Sequence, residues 1–144
     1  MGSILAIDYG LKRIGLAISD PSRSFAFPCK VIENNDIKNV LVNIGEIINE
    51  KEVDLVLVGM PFNMNGTKSK ISNNVEGFVI ALQKNISIPV KMIDERLSSF
   101  IALENLKESQ ISTRKSRKGI VDIEAARLLL EEYLEKEKPN MPHI

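Results

Sequence analysis

Residues 4–20 restrict what this chain can fold into more than any other stretch. Two apolar runs, Ile4–Asp8 and Arg13–Ser19, flank a short polar turn, so the chain opens as two closely joined strands. Ile4 to Ile7 is almost continuously apolar, as expected of a strand covered on both faces, which calls for a layered architecture. Gly10 and Gly15 are expected to supply backbone freedom around the turn. One acid, Asp8, closes the first run. A carboxylate there is costly to bury without compensation. A bound cation or the backbone amides of the turn would compensate it, and capping of its own loop is the plainer alternative.

The rest of the pattern alternates. A weaker strand around Ala26–Glu33 is interrupted by Pro28, and Asp20-Pro21-Ser22 marks the turn before it. Asn34-Asn35-Asp36 opens a helix whose apolar positions, Ile37, Val40, Leu41, Ile44, Ile47 and Ile48, recur at helical spacing. Asp54–Gly59 reads as a strand stopped by Gly59-Met60-Pro61. A polar loop precedes a helix over about Ile71–Lys84, with Val75, Phe78, Val79 and Leu82 on one face. Pro89–Asp94 is the next strand. A helix capped by Ser98 or Ser99 runs to about Glu108, and a basic loop leads to a last helix from about Asp122 to Lys136. Closely joined strands favour antiparallel pairing and strand–helix alternation favours parallel pairing. The expected fold is therefore α/β, a mixed five-stranded sheet flanked by helices, in a single domain over residues 1–144.

Composition narrows the function classes. A 44% hydrophobic and 26% charged chain of 144 residues is ordinary for a globular protein with a sizeable core. Cys29 is the only cysteine, which excludes an intramolecular disulfide and fits a reducing compartment. No signal peptide or membrane-spanning run is legible, so a cytoplasmic location is expected. Nineteen basic residues balance nineteen acidic ones, unlike the strongly basic balance of many nucleic-acid-binding domains. Distribution counts for more than the total, and Arg114, Lys115, Arg117 and Lys118 lie close together. With 5% aromatic residues and no tryptophan, base stacking is a poor candidate for the main mode of recognition.

The remaining acids carry the chemistry. Asp94 and Glu95 close a strand as Asp8 does, and ligands of open α/β sheets sit beyond the carboxyl ends of strands. Side-by-side strands would put these acids together at one rim. Asp122 precedes Ala125, Ala126 and Leu129 at helical spacing, on the stripe that would pack against the sheet. A helix cap explains Asp122 as well as catalysis does. Carboxylates about 4 Å apart repel by roughly 4 kcal/mol at an effective dielectric near 20. Converging acids therefore need raised pKa values or a multivalent cation. Mg²⁺, or Mn²⁺, suits oxygen ligands and phosphate substrates, and two such ions serve phosphodiester cleavage. The one histidine, His143, stands in the C-terminal tail near Pro139 and Pro142 and is poorly placed as a general base.

Taken together, Asp8-Tyr9-Gly10 with Arg13-Ile14-Gly15, Gly59-Met60-Pro61 with Asn65-Gly66, Asp94-Glu95-Arg96-Leu97-Ser98, and Asp122 with Ala125-Ala126 resemble the YqgF family, also called RuvX. The resemblance covers nearly the whole chain and implies a ribonuclease H-like fold. It implies a three-acid metal site, carried here by Asp8, Glu95 and Asp122, and a nuclease that matures the 5′ end of precursor 16S ribosomal RNA. Holliday-junction resolution is the alternative activity. Glu95 is favoured over Asp94 as the middle ligand for its longer reach, Asp94 being the secondary candidate. Lys12, Arg13 and Arg96 are candidate phosphate contacts. Arg114, Lys115, Arg117 and Lys118 could track a nucleic-acid backbone, although such runs are commonly only solvated.

Two other classes compete. Actin-like and sugar-kinase ATPases use a similar Asp-x-Gly turn, but need two such domains, for which this chain is too short. A binding module for the transcription or translation machinery would keep the fold and act through partners, and the balanced charge suits it.

Overall fold

The computed structural model describes residues 2–61, 70–94 and 115–137, with the backbone alone over 115–122. Its elements run β1 (Ser3–Asp8), β2 (Arg13–Ser19), β3 (Ala26–Glu33), α1 (Ile37–Glu50), β4 (Val53–Met60), α2 (Ser72–Asn85), β5 (Val90–Asp94) and α3 (Lys115–Glu137). The strands form one sheet in the order β3-β2-β1-β4-β5. β1 pairs antiparallel with β2, and β2 with β3, while β4 pairs in parallel with both β1 and β5. The mixed sheet expected from the spacing of the apolar runs is the one observed.

Pleating assigns the two faces. Leu5 and Ile7 of β1, Ile14 and Leu16 of β2, and Val56 and Val58 of β4 pack beneath α1 and α2. From α1 this layer takes Val40, Ile44 and Ile47, and from α2 Val75, Phe78, Val79 and Leu82. Ile37, on the expected stripe, is instead 45% exposed at the first turn, beyond the sheet's cover. Asp36 caps α1, its carboxylate accepting the Lys38 N–H at 3.1 Å. The opposite face offers Ile4, Ala6, Ala17 and Leu57 to Ala126, Leu130 and Leu134 of α3. Small side chains at Ala6, Ala17 and Ala126 let the helix seat closely. Burial on both faces is why β1 reads as an unbroken apolar run.

Three local expectations change. Gly15 lies inside β2, whose bounds are those of the Arg13–Ser19 run, so it does not serve the turn as expected. Pro28 does not break β3. That strand is at the sheet edge, where a missing donor is tolerated, and its register shifts beside Pro28. The last helix starts at Lys115, seven residues before Asp122. Lys and Arg are good helix formers, Gly119 costs only about 1 kcal/mol, and the stripe packed on the sheet outweighs it. The basic run beginning at Lys115 is thus helix, not loop, and Asp122 is not an N-cap. The expected helix from Ser98 or Ser99 to Glu108 lies outside the described residues.

Candidate active site

The carboxyl rim of the sheet carries the chemistry. Asp8, the last residue of β1, is 6% exposed. It shares the pleat of Ile4 and Ala6 and so stands on the face covered by α3. Its antiparallel partner is Gly15. On the other flank the parallel register pairs Ile7 with Val58, which brings Gly59 level with Asp8, and Gly59 pairs with Ile93. The rim row on this face therefore reads Gly15, Asp8, Gly59, Ile93. No side chain of the sheet crowds the carboxylate from either flank.

The turn after Asp8 is held from three sides. The ring of Tyr9 packs on Phe78 of α2, with centroids 4.9 Å apart. Asn34, just past β3, donates its backbone N–H to the Lys12 carbonyl at 2.9 Å and its side-chain amide to the Gly10 carbonyl at 2.8 Å. Gly10 has to be glycine: a Cβ there would come 2.4 Å from the carbonyl oxygen of Arg13. Nothing in the spacing of apolar residues pointed to Asn34, which reads simply as part of a helix-opening polar cluster.

Helix α3 runs antiparallel to β5 over this row. Ala125 and Leu129 pack on Ile93, whereas the Nζ of Lys91, two residues back along β5, lies 5.1 Å from the ring centre of Tyr133. Ala125, Ala126 and Leu129 are at most 1% exposed, the buried stripe expected from the sequence. The helix backbone at Asp122 lies one turn closer to the helix start, toward the carboxyl rim that carries Asp8.

The other candidates divide. β4 separates β1 from β5, so Asp8 and Asp94 are not on adjacent strands. By alternation Asp94 shares the pleat of Val90, which packs in the layer of α1 and α2, and not that of Asp8. Glu95, Arg96 and Arg114 lie outside the described residues. Lys12 is exposed in the turn after Asp8, and Arg13 is half-buried at the start of β2. Lys115, Arg117 and Lys118 occupy the first turns of α3. Among the described residues, no three His, Cys, Asp or Glu side chains form a group that could hold a metal ion.

The resolved charge perturbations lie elsewhere. At the amino rim the Asp54 carboxyl is held below its ordinary range, chiefly by the backbone N–H of Gly2 at 2.8 Å and further by Arg23, against a smaller opposing effect of burial. Burial raises the Cys29 thiol. On α3, Arg127 pairs with Glu124 and Glu131, which raises its guanidinium further above an already high value. None of these groups lines the rim row.

The family described as "RuvX: Holliday junction resolvase" matches residues 2–136. A protein of Maridesulfovibrio salexigens named "Putative pre-16S rRNA nuclease" is 38% identical over 131 residues, spanning 91% of this chain and 96% of the relative. One of the same name from Chlorobium phaeobacteroides is 43% identical over 134 residues, spanning 92% of this chain and 91% of its own. Among solved structures, T. thermophilus RuvC in complex with a Holliday junction substrate superposes with a TM-score of 0.60 at 16% identity, covering 96% of this chain and 98% of that one. That likeness fixes the fold as ribonuclease H-like. With the match running through every described element from β1 to α3, the chain belongs to the RuvX family.

Proposed function

We propose that this chain is a divalent-metal-dependent nuclease that hydrolyses phosphodiester bonds in 5′-end maturation of precursor 16S ribosomal RNA. The observation that carries this reading is Asp8: a buried carboxylate at the carboxyl end of the central strand, flanked by two glycines, in a family with relatives named "Putative pre-16S rRNA nuclease". An acid at that depth is compatible with a cation and expensive without compensation.

Asp8, Glu95 and Asp122 would hold the metal, Mg²⁺ or Mn²⁺ and two ions in the full site. Bound there, the metal supplies an activated water and charge stabilisation for the leaving oxygen. The rest is the work of the chain. The braced turn fixes the Asp8 carboxylate, since positioning within an ångström governs such chemistry. Lys12, Arg13 and Arg96 are the proposed phosphate contacts beside the acids. Arg114, Lys115, Arg117 and Lys118 would meet the backbone of a strand lying across the start of α3, where the helix dipole also favours anions. Such contacts are blind to sequence. The proposed place of action is the cytoplasm, in ribosome biogenesis.

The description of the family favours a second reading, resolution of branched DNA. One experiment separates the two. Purified protein with Mg²⁺ or Mn²⁺ is tested on single-stranded RNA, duplex RNA and a four-way DNA junction of matched length. Cleavage of RNA in preference to the junction supports rRNA maturation, junction cleavage alone supports resolution, and cleavage of none overturns the nuclease reading.

A further inference from the structure

We infer that Asn34 is a positioning residue for catalysis, acting through the turn that carries Asp8. This rests on the nuclease reading above. The side-chain amide of Asn34 reaches back 24 positions to donate to the Gly10 carbonyl at 2.8 Å, while its backbone N–H donates to the Lys12 carbonyl at 2.9 Å. Two carbonyls of one short turn are thus tied to a single residue on a different strand end. The backbone bond merely continues the β2–β3 ladder beyond the Arg13–Glu33 pair. The side-chain bond does not belong to any ladder, and it fixes the peptide two residues after Asp8.

The geometry explains why one amide matters. Gly10 is already pressed against Arg13, so the turn is tight, and Tyr9 is pinned on its other side by Phe78. With the amide in place, the peptide plane after Gly10 has one orientation. Without it, the Gly10 carbonyl can turn to water at little cost in stability, because it is only partly buried. The backbone that carries the Asp8 carboxylate, two residues upstream, would then shift from its working position. Asparagine is required by its chemistry: an aspartate of the same shape would set an acceptor against a carbonyl.

The test compares wild type, Asn34→Ala, Asn34→Asp and Asn34→Gln on single-stranded RNA in Mg²⁺, with amide hydrogen exchange of the metal-free proteins as a second readout. Asn34→Ala is expected to lower kcat by at least about tenfold with KM within about twofold, since misplacement of reacting groups by an ångström costs up to about a hundredfold. Asn34→Asp should be worse, and Asn34→Gln, which keeps a donor, should recover part of the rate. Exchange at Leu11 to Arg13 should quicken in the first two variants while melting temperatures fall by less than about 5 °C. Active wild type with Asn34→Ala and Asn34→Asp turning over at the wild-type rate, or with unchanged exchange in the turn, would overturn the proposal alone. Equal loss in all three variants with melting lowered by more than about 10 °C would reduce Asn34 to a structural link and overturn it too. Wild type that cleaves no nucleic acid would overturn the nuclease reading itself.

Discussion

Asp8 and its neighbours concentrate the chemistry in a few side chains. Replacing Asp8 with Asn keeps shape and removes charge. Hydrolysis should fall by at least about a hundredfold, beyond the 10–100-fold typical of residues that only support a metal ligand, while circular dichroism stays native. Gly15 tests the flank. Directly opposed residues of an antiparallel pair hold their Cβ atoms about 4.5–5.5 Å apart, so Gly15→Val sets two methyl groups against the carboxylate. Valine favours strands. Turnover should therefore drop by at least about tenfold with little loss of melting temperature; a normal rate would show that the flank needs no space. In the sequence alone, Gly15 lies within a strand run, but the ladder that places it opposite Asp8 is a tertiary fact.

At the scale of elements, α3 decides how the rim is closed. Its buried stripe was legible because Ala125, Ala126 and Leu129 recur at helical spacing, whereas its beginning was not. Charged residues at a helix start carry no distinct signal, so the run at Lys115 reads as a loop although it is helix. Ala126 sits against Ala6 and Ala17, so Ala126→Leu should destabilise by about 1–3 kcal/mol through overpacking, measurable by urea denaturation. The basic turn should behave otherwise. Changing Arg114, Lys115, Arg117 and Lys118 to Ser should weaken binding to single-stranded RNA and flatten the log–log salt dependence by up to about 3 units, at roughly 0.7 per cation. An unchanged slope would return these residues to simple solvation. The same limits apply to the acids. Strand ends were visible as apolar runs closing on Asp8 and Asp94, but the sheet order that puts β4 between them was not, since pairing between distant strands leaves no mark in local spacing.

Over the whole molecule, the two rims of the sheet have different tasks. The amino rim is a fastening, where Asp54 accepts the Gly2 N–H and pairs with Arg23, whose own Nε donates to the Gly2 carbonyl at 3.1 Å. The Asp54 carboxyl lies below its ordinary value of 3.8, so the stability it contributes is present above that pH and is lost as pH falls through the lower folded value. Asp54→Asn should therefore cost up to about 1 kcal/mol at pH 7, as for an exposed pair, and this difference should vanish in strong acid. A difference that grows on acidification would contradict the assignment. The carboxyl rim is the proposed working end, and the hydrolysis rate of an RNA spanning the 5′ end of mature 16S rRNA tests it most directly. The rate is measured in Mg²⁺, in excess EDTA, and with Asp8→Asn in Mg²⁺. Cleavage by wild type in Mg²⁺ alone is the predicted result; cleavage that persists in EDTA or in Asp8→Asn would contradict the metal site at this rim.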